Sequence, residues 1–267
     1  MKGRVLIIAG SDSGGGAGVQ ADIKTVTALG GYAATAITAL TAQNTLGVQS
    51  IETVSAAFVV EQIDVVLRDI GADAIKIGML HRREVVEAIA DYFDAATDLP
   101  PIVLDPVMIA KGGAALLAED AGTAIKARLI GSHTHLLTPN IPEAEQLTGM
   151  KIEKLSDMEK AGRLLLDAGP IAVLMKGGHG KGEMIVDLLV SPEGVHTFSH
   201  PRIETRHTHG TGCTLSSAIA TGIAQGLPMK EAVARALRYI EVAITQAPEI
   251  GAGHGPLNHG HTVTRFS

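Results

Sequence analysis

The sequence predicts an α/β fold, in which a central, mostly parallel sheet carries helices on both faces. Short apolar runs alternate with amphipathic segments along the chain, as strands and helices do in such folds. The apolar runs are uninterrupted, which is typical of parallel strands buried on both sides. Of the 267 residues, 46% are hydrophobic but only 3% are aromatic, so the core must be aliphatic. A single domain over residues 1–267 suits this length.

The elements follow one another regularly from the N-terminus. The run Val5-Leu6-Ile7-Ile8 predicts a first buried strand, and a glycine-rich turn leads into a helix that Gly30 ends. Further strands are predicted at 33–40, 74–78, 101–104, 136–137 and 172–175, and residues 48–54 predict a short exposed strand or a flap. Helices are predicted at 17–29, 58–67, 84–93, 121–129, 143–147, 158–168, 213–225 and 229–247. Strand–helix alternation implies right-handed crossovers between parallel strands.

Two regions differ from this alternation. Residues 184–190 and 194–198 predict an antiparallel hairpin, because the segment between them has the composition of a turn. We expect the tail from Gly251 onward, which holds His254, His259 and His261, to be loosely ordered.

Composition and charge exclude several classes of protein. The net charge is −6 and no long basic run occurs, which disfavours a nucleic-acid interface. A single cysteine excludes an internal disulfide and a multi-cysteine zinc site. The first residues lack the pattern of a signal peptide, and no apolar stretch is long enough for a membrane span. We therefore expect a cytoplasmic protein.

Polar residues are concentrated where the predicted strands end. Ligands of open α/β sheets bind outside the carboxyl ends of the strands. The strand ends read Gly10-Ser11-Asp12, Lys76-Ile77-Gly78-Met79, Asp105-Pro106-Val107, Thr138-Pro139-Asn140 and Lys176-Gly177-Gly178. This edge of the sheet is therefore the predicted site.

The segment Gly210-Thr211-Gly212-Cys213 stands immediately before a predicted helix. Glycines let successive N–H groups converge, and a helix N-terminus adds partial positive charge, so this turn can hold an anion. Cys213 would lie in the first turn, where the helix dipole favours the thiolate, and a thiolate can accept a proton from a substrate hydroxyl. A glycine turn beside a buried, inert cysteine explains the segment equally well.

Charged side chains at other strand ends suggest a phosphate and metal site. Asn140 and Glu143 have the spacing of a capping box, but a glutamate there can also hold magnesium through water. Asp105 could supply a second carboxylate. Lys176, next to two glycines, suits contact with nucleotide phosphates, although a solvated lysine before a turn is as plausible.

The glycine-rich segment 13–18 resembles a phosphate loop without matching a known one. No Gly-Lys-Ser/Thr follows it, and the second strand has no acidic residue at its end, which disfavours both the Walker and the dinucleotide patterns. The loop could let backbone approach a flat substrate, and Gln43 has the donors and acceptors to read a heterocycle. His207 and His209 are interpreted as solvated loop residues rather than metal ligands.

The chain resembles the hydroxymethylpyrimidine/phosphomethylpyrimidine kinases, from about Val5 to Pro256. The matching segments are Ala9-Gly10-Ser11-Asp12, residues 18–24, residues 39–45, residues 76–80, residues 104–108, residues 138–144, Met175-Lys176-Gly177-Gly178-His179 and residues 208–216. One departure is that the family often reads Asp-Pro-Ser-Gly-Gly where this chain reads Asp12-Ser13-Gly14-Gly15-Gly16.

The resemblance implies a ribokinase-like fold and transfer of the ATP γ-phosphoryl group, first to the pyrimidine alcohol and then to its monophosphate. It implies that Cys213 is the base and that the backbone of Gly210, Thr211 and Gly212 forms the anion hole. The substrate pocket implied is Gln43, Asp22, Met79, Val107 and Gly10. ATP would be bound by Lys176, Asn140 and Thr211, and Mg²⁺ by Asp105 and Glu143. A homodimer that buries the segment 47–53 is also implied.

Three other functions stay open at this point. A pyridoxal kinase of the same fold shares the phosphate machinery, and Gln43 and Met79 favour the pyrimidine over it. A non-catalytic nucleotide-binding or vitamin-binding protein would bind ligand without turnover. An NAD-dependent oxidoreductase is disfavoured by the missing acidic residue. His207 and His209 could assist the second phosphorylation, which must accept a charged substrate.

Overall fold

A computed structural model describes residues 1–108, 118–178 and 182–264 of the chain. Within these residues the strands form one nine-stranded sheet with the order β3-β2-β1-β4-β5-β6-β7-β8-β9. The strands are β1 Arg4–Asp12, β2 Tyr32–Asn44, β3 Gly47–Thr53, β4 Ala74–Ile77, β5 Ile102–Leu104, β6 Leu136–Leu137, β7 Ala172–Met175, β8 Met184–Ser191 and β9 Gly194–Pro201. The predicted α/β architecture is confirmed.

Helices cover both faces of this sheet. They are α1 Gly18–Ala28, α2 Ala56–Asp69, α3 Arg83–Ala95, α4 Glu119–Ala124, α5 Ile141–Thr148, α6 Leu155–Asp167, α7 Thr211–Ala224 and α8 Met229–Thr245. The chain continues from α4 into a π-helical stretch, Ile125–Ile130, so the helix predicted at 121–129 is present with a wider last turn. In the described part of the chain, no helix is both long and apolar enough to span a membrane.

Alternating side chains of the central strands divide the core in two. Leu6 and Ile8 of β1 pack with α2 to α6 on one face. Val5 and Ile7 point to the other face and pack with α1, α7 and α8. Each of these four side chains is at most 1% exposed, which explains why β1 is an unbroken apolar run rather than an alternating one.

The six central strands, in the order β2-β1-β4-β5-β6-β7, are parallel to one another, and both edges of the sheet are antiparallel hairpins. All carboxyl ends of the parallel strands therefore meet at one edge. The register between β1 and β2 shifts between Ala9 and Ser11, so the backbone bends at Gly10 just before the glycine-rich turn. Strand β2 runs on to Asn44, four residues beyond the predicted end, and carries Gln43 to this edge.

The C-terminal tail is packed, contrary to the expectation of a loose end. Leu257 and His259 are 3% and 4% exposed. His259 shares a hydrogen bond with the hydroxyl of Thr214 in α7 at 3.0 Å, and its carbonyl accepts from the hydroxyl of Tyr239 in α8. Further back, the amide of His209 donates to the carbonyl of Gly255. The tail thus packs against α7, α8 and the segment before α7. Residues 265–267 lie outside the described part of the chain.

Candidate active site

A cavity of about 820 Å³ opens where the carboxyl ends of the parallel strands meet. This is the edge that the sequence predicted, because polar residues follow each strand there. Every predicted site residue but one lines the cavity: Gly10, Gln43, Met79, Asp105, Val107, Asn140, Glu143, Lys176, Gly210, Thr211, Gly212 and Cys213. The fold therefore brings residues from seven separate chain segments to one place. Their individual roles stay predictions.

Helix α7 begins at this cavity with the predicted anion-binding turn. Gly210 is its N-cap with φ of 85°, a conformation that glycine adopts without strain. The carbonyl of Gly16 packs where a side chain on Gly210 would stand. No side chain caps the helix, and the hydroxyl of Thr211 instead donates to the carbonyl of Thr208 at 2.7 Å. The first N–H groups of α7 therefore keep their capacity to bind an anion.

Cys213 lies in the first turn of α7 and is partly buried. Burial raises the pKa of its thiol to about 11; Lys76 opposes the shift, while Asp22 and Asp105 add to it. The thiol therefore keeps its proton at neutral pH. The thiolate expected from the helix dipole is not the resting form, because loss of water disfavours the charged state.

Asp22 is the one predicted site residue that does not line the cavity. Its side chain is fully buried in α1 and pairs with the ammonium of Lys76 at 2.8 Å. Its other oxygen accepts from the hydroxyl of Ser217 in α7 at 2.7 Å. The expectation that Asp22 would line the substrate pocket is therefore not met, and Lys76 stands at the cavity in its place. The sequence signal for Lys76 was a lysine among the apolar residues of strand β4.

Lys176 occupies the space between the two predicted magnesium ligands. Its ammonium donates to Asp105 at 2.7 Å and stands 3.9 Å from Glu143. Gly212 adjoins the pair, because a methyl group there would lie 3.3 Å from Asp105 and 3.5 Å from Lys176. The anion-binding turn, the lysine and the two carboxylates thus form one charged cluster. His179, which follows in the family segment, lies outside the described residues.

Asn140 and Glu143 form the capping box that their spacing allowed. The side chain of Asn140 accepts from the amide of Glu143, and a carboxylate oxygen of Glu143 accepts from the amide of Asn140 at 2.8 Å. Burial raises the pKa of Glu143 to about 7; Lys176 opposes the shift and Asp105 adds to it. Among the described residues, no group of three His, Cys, Asp or Glu side chains could enclose a metal ion. Any metal here needs ligands from water or phosphate.

The glycine-rich turn folds around the carboxylate of Asp12. Its oxygens accept from the amides of Gly14, Gly16 and Ala17 at 2.8 to 3.1 Å. Although burial opposes the shift, His209 and these amides lower the pKa of Asp12, so the carboxylate stays charged. The loop thus binds an internal anion with the N–H groups that a phosphate loop would offer to a ligand.

His209 connects this loop to Gln43. Its Nε2 lies 2.8 Å from a carboxylate oxygen of Asp12 and 3.3 Å from the side-chain amide nitrogen of Gln43. The hydroxyl of Thr41 approaches the other end of the same amide at 3.2 Å. His209 is 8% exposed and His207 is 5% exposed, so neither is the solvated loop residue that we expected. Gln43 thus lines the cavity with the two ends of its amide next to His209 and Thr41.

Apolar side chains form the wall beside Gln43. Met79 is 8% exposed and packs with Ala39, and Val107 packs against the same cluster. The methyl group of Met79 fills the space that a side chain at Gly10 would need, which accounts for that glycine. The arrangement gives an apolar slot with the amide of Gln43 at its rim.

The other end of the cavity was not predicted from the sequence. It is lined by apolar residues of β8 and α8 and of the segment after β9, namely Ile185, Ile203, Leu237, Ile240 and Ile244. Asp187 anchors this end, since it accepts from the amide of Gly177 at 2.7 Å and pairs with His200 at 3.1 Å. The apolar face of α8 was visible in the sequence, but its periodicity could not reveal that one end borders a cavity.

Known proteins resemble this chain over nearly all of its length. The family described as phosphomethylpyrimidine kinase matches residues 12–258. A thiamine biosynthesis bifunctional protein of Geobacter sulfurreducens is 52% identical over 97% of this chain, which spans about half (52%) of that protein's length. A hydroxymethylpyrimidine/phosphomethylpyrimidine kinase of Rhizobium meliloti is 48% identical over 96% of each chain.

Among solved structures, an ADP complex of Bacillus subtilis pyridoxal kinase has a TM-score of 0.88 and 32% identity. The match covers 97% of this chain and 98% of that one. The fold is therefore the ribokinase-like fold that the sequence predicted.

Proposed function

Since the chain belongs to the phosphomethylpyrimidine kinase family, it is a small-molecule kinase of thiamine biosynthesis, and we propose that the cavity described above is its active site. There the γ-phosphoryl group of ATP would pass to hydroxymethylpyrimidine and, in a second reaction, to the resulting monophosphate. The observation that carries this proposal is the convergence of Gln43, Cys213, Lys176 and the start of α7 on one cavity. Phosphoryl transfer needs positioning and charge stabilisation, and these groups supply both.

Each end of the cavity suits one reactant. The slot beside Gln43 and Met79 fits a flat pyrimidine, whose ring nitrogen and amino group the Gln43 amide would pair with. The apolar end near Leu237 and Ile240 fits the base of the nucleotide. The start of α7 lies between the two, where the phosphate chain has to pass. Transferred charge would therefore develop directly over the N–H groups of Gly212 and Cys213.

In the transfer itself, the Cys213 thiol would first lose its proton to water. The substrate hydroxyl would then lose its proton to the thiolate while its oxygen bonds to the γ-phosphorus and the bond to the ADP oxygen breaks. The N–H groups at the start of α7 would stabilise the charge on the phosphoryl oxygens. Lys176, freed from Asp105 by the arriving negative charge, would contact the phosphates. For the monophosphate, which has a phosphate acceptor, positioning matters more than the base, and His209 stands near enough to assist.

The carboxylates fit a magnesium ion bound mostly through water and phosphate. Asp105 and Glu143 are both buried next to the start of α7, and two carboxylates with phosphate oxygens are a usual donor set for Mg²⁺. When bound, the ion would neutralise phosphate charge during transfer. Because the pKa of Glu143 is raised to about 7, these two residues would hold the ion better at pH 8 than at pH 6.

Pyridoxal phosphorylation is the second candidate, and the fold shared with the Bacillus subtilis pyridoxal kinase favours it. Sequence identity is lower with that enzyme, at 32%, than with the Rhizobium meliloti pyrimidine kinase, at 48%. The proposal therefore places the pyrimidine first and includes pyridoxal as a side activity. It also includes a cytosolic location, where ATP is abundant, and a homodimer formed through β3.

A phosphorus NMR time course with ATP and magnesium tests the proposal, with hydroxymethylpyrimidine and pyridoxal supplied in parallel. We expect a pyrimidine monophosphate that later gives way to a pyrophosphate ester. Phosphorylation of pyridoxal alone would keep the phosphate site but overturn the assignment of Gln43. If neither substrate reacts while ATP still binds, the chain is a binding protein and the proposal fails.

A further inference from the structure

Lys76 is a charged residue in a place where a strand would ordinarily carry an apolar one. It lies between Ile75 and Ile77 in β4, and its side chain is 0% exposed. Burying an ammonium costs several kcal/mol unless a partner compensates it, and breaking such a pair is strongly destabilising. The reaction proposed above gives this lysine no task. Its position must therefore be explained by what surrounds it.

Asp22 places Lys76 beside helix α7, one turn after Cys213. The carboxylate of Asp22 accepts from the hydroxyl of Ser217 at 2.7 Å, and Ser217 follows Cys213 by four residues in α7, so the two lie on the same face of that helix. Lys76 rises from β4 and binds Asp22 at 2.8 Å. Lys76 also borders the cavity, although its side chain is 0% exposed, so its ammonium is buried behind the cavity wall.

The strand end is shaped to leave room for this ammonium. A methyl group on Gly78 would lie only 2.8 Å from Nζ of Lys76 and 3.1 Å from the side chain of Ala9. The ammonium is therefore enclosed by the strands below it and by Asp22 beside it. It cannot swing away toward solvent as a surface lysine does.

Two cations and two carboxylates act on Cys213 from the surrounding elements: Lys76, Lys176, Asp22 and Asp105. Lys176 is bound to Asp105 at 2.7 Å and is proposed to contact phosphate during the reaction. Lys76 has no such second task. Although burial opposes the shift, Asp22 and Cys213 raise the pKa of Lys76 above its ordinary value, so its positive charge persists throughout.

We propose that Lys76 is a positioning residue for the reaction, whose buried ammonium, fixed by Asp22, stabilises the thiolate of Cys213 and so prepares it to accept the substrate proton. This inference rests on the proposed role of Cys213 as the base. The thiol proton leaves to solvent water before the transfer, the substrate proton then binds the sulfur, and the thiol loses it to water again for the next turnover. Asp22 acts against the thiolate and holds Lys76 in place.

The test measures the cysteine directly, without kinase activity. Cys213 is the only cysteine in the chain, so alkylation by iodoacetamide, followed by mass spectrometry from pH 6 to about 11, reports the thiolate fraction of this residue alone. We expect Lys76→Met to slow alkylation at pH 8 about tenfold, which is about one pKa unit. We expect Asp22→Asn to accelerate it. Lys24→Met, at an exposed lysine of α1, is the matched control and should titrate like the native protein.

A second variant covers the case in which Lys76→Met does not fold. The double variant Lys76→Met with Asp22→Asn removes the ion pair as a unit, which avoids an uncompensated buried charge. It should alkylate more slowly than Asp22→Asn alone. The proposal is overturned if Lys76→Met has the same alkylation curve as the native protein. It is also overturned if Lys76→Met and Asp22→Asn shift that curve in the same direction.

Kinase assays separate this inference from the proposed function. In Lys76→Met, the acid limb of the kcat/KM profile should move to higher pH by the same amount as the alkylation curve. If Cys213→Ala remains active, the base role of the cysteine fails, whatever the alkylation shows. If Cys213→Ala is inactive but the alkylation curves coincide, the cysteine role stands and that of Lys76 fails.

Discussion

Cys213 is the residue on which the proposed chemistry depends most. Replacing it with alanine removes the proton acceptor but leaves the backbone N–H groups of α7 in place. We expect Cys213→Ala to lower kcat for the alcohol about 100-fold or more, since general base catalysis contributes roughly that factor. The affinity for ATP, measured by calorimetry, should change less than about threefold.

Cys213→Asp is the matched variant, because a carboxylate at this position can also accept a proton. It should recover part of the activity that alanine loses. Turnover of Cys213→Ala at a near-native rate contradicts the assignment, and so does an aspartate variant that is as inactive as alanine while still binding ATP.

Single residues also show how far the sequence could predict the site. The strand-end rule located the polar side chains at one end of the cavity, Lys76 among them, because parallel strands must end at one edge. Asp22 was expected in the substrate pocket from the family resemblance alone, and its burial against Lys76 depends on contacts that no local pattern encodes. The Asn140–Glu143 pair likewise required geometry, because a capping box and a metal site share the same spacing, and here the capping box is formed.

At the scale of elements, the C-terminal tail is the part that sequence patterns predicted least well. It contains no periodic apolar face, and it is held by hydrogen bonds to Thr45, His209, Thr214 and Tyr239 instead. Such contacts join residues far apart in the chain, so no local pattern encodes them. The strands and helices were predicted within a few residues because their burial pattern is local.

The tail gives a pH-dependent prediction at His259. Burial lowers the pKa of His259 to about 4, while an unfolded histidine titrates near 6.5, so the unfolded chain binds the proton more strongly. This histidine therefore stabilises the fold fully above pH 6.5, and the contribution is lost as the pH falls toward 4. Relative to the native protein, His259→Gln should gain roughly 2 kcal/mol of unfolding free energy on going from pH 7 to pH 5.

Urea unfolding at several pH values measures this difference. Glutamine can still pair with Thr214 but cannot titrate, so the stability of the variant should depend less on pH over this interval. His254→Gln is the control, because that histidine belongs to the same tail but its side chain binds only the exposed carbonyl of Arg206. Parallel pH profiles for the native protein and His259→Gln would show that the buried histidine does not control acid stability.

At the scale of the whole molecule, the two edges of the sheet have different surroundings. At one edge, β8 and β9 border the apolar end of the cavity, where we propose that the nucleotide binds. At the other, β3 is an edge strand, and the β2–β3 hairpin exposes Leu40 and Leu46 at 46% and 73%. An edge strand with exposed apolar residues is a surface on which a second chain can pair. The proposed homodimer uses this edge, which leaves the cavity open.

Analytical ultracentrifugation tests this assembly. We expect the native protein to sediment with twice its chain mass of 27.6 kDa. The double variant Leu40→Glu with Leu46→Glu should sediment as a single chain, because buried, unpaired carboxylates strongly oppose association. Leu155→Glu with Leu164→Glu is the matched control, since these leucines of α6 are 50% and 49% exposed but lie away from β3. A native protein that is monomeric at micromolar concentration would exclude the dimer. A control variant that dissociates equally would place the contact elsewhere.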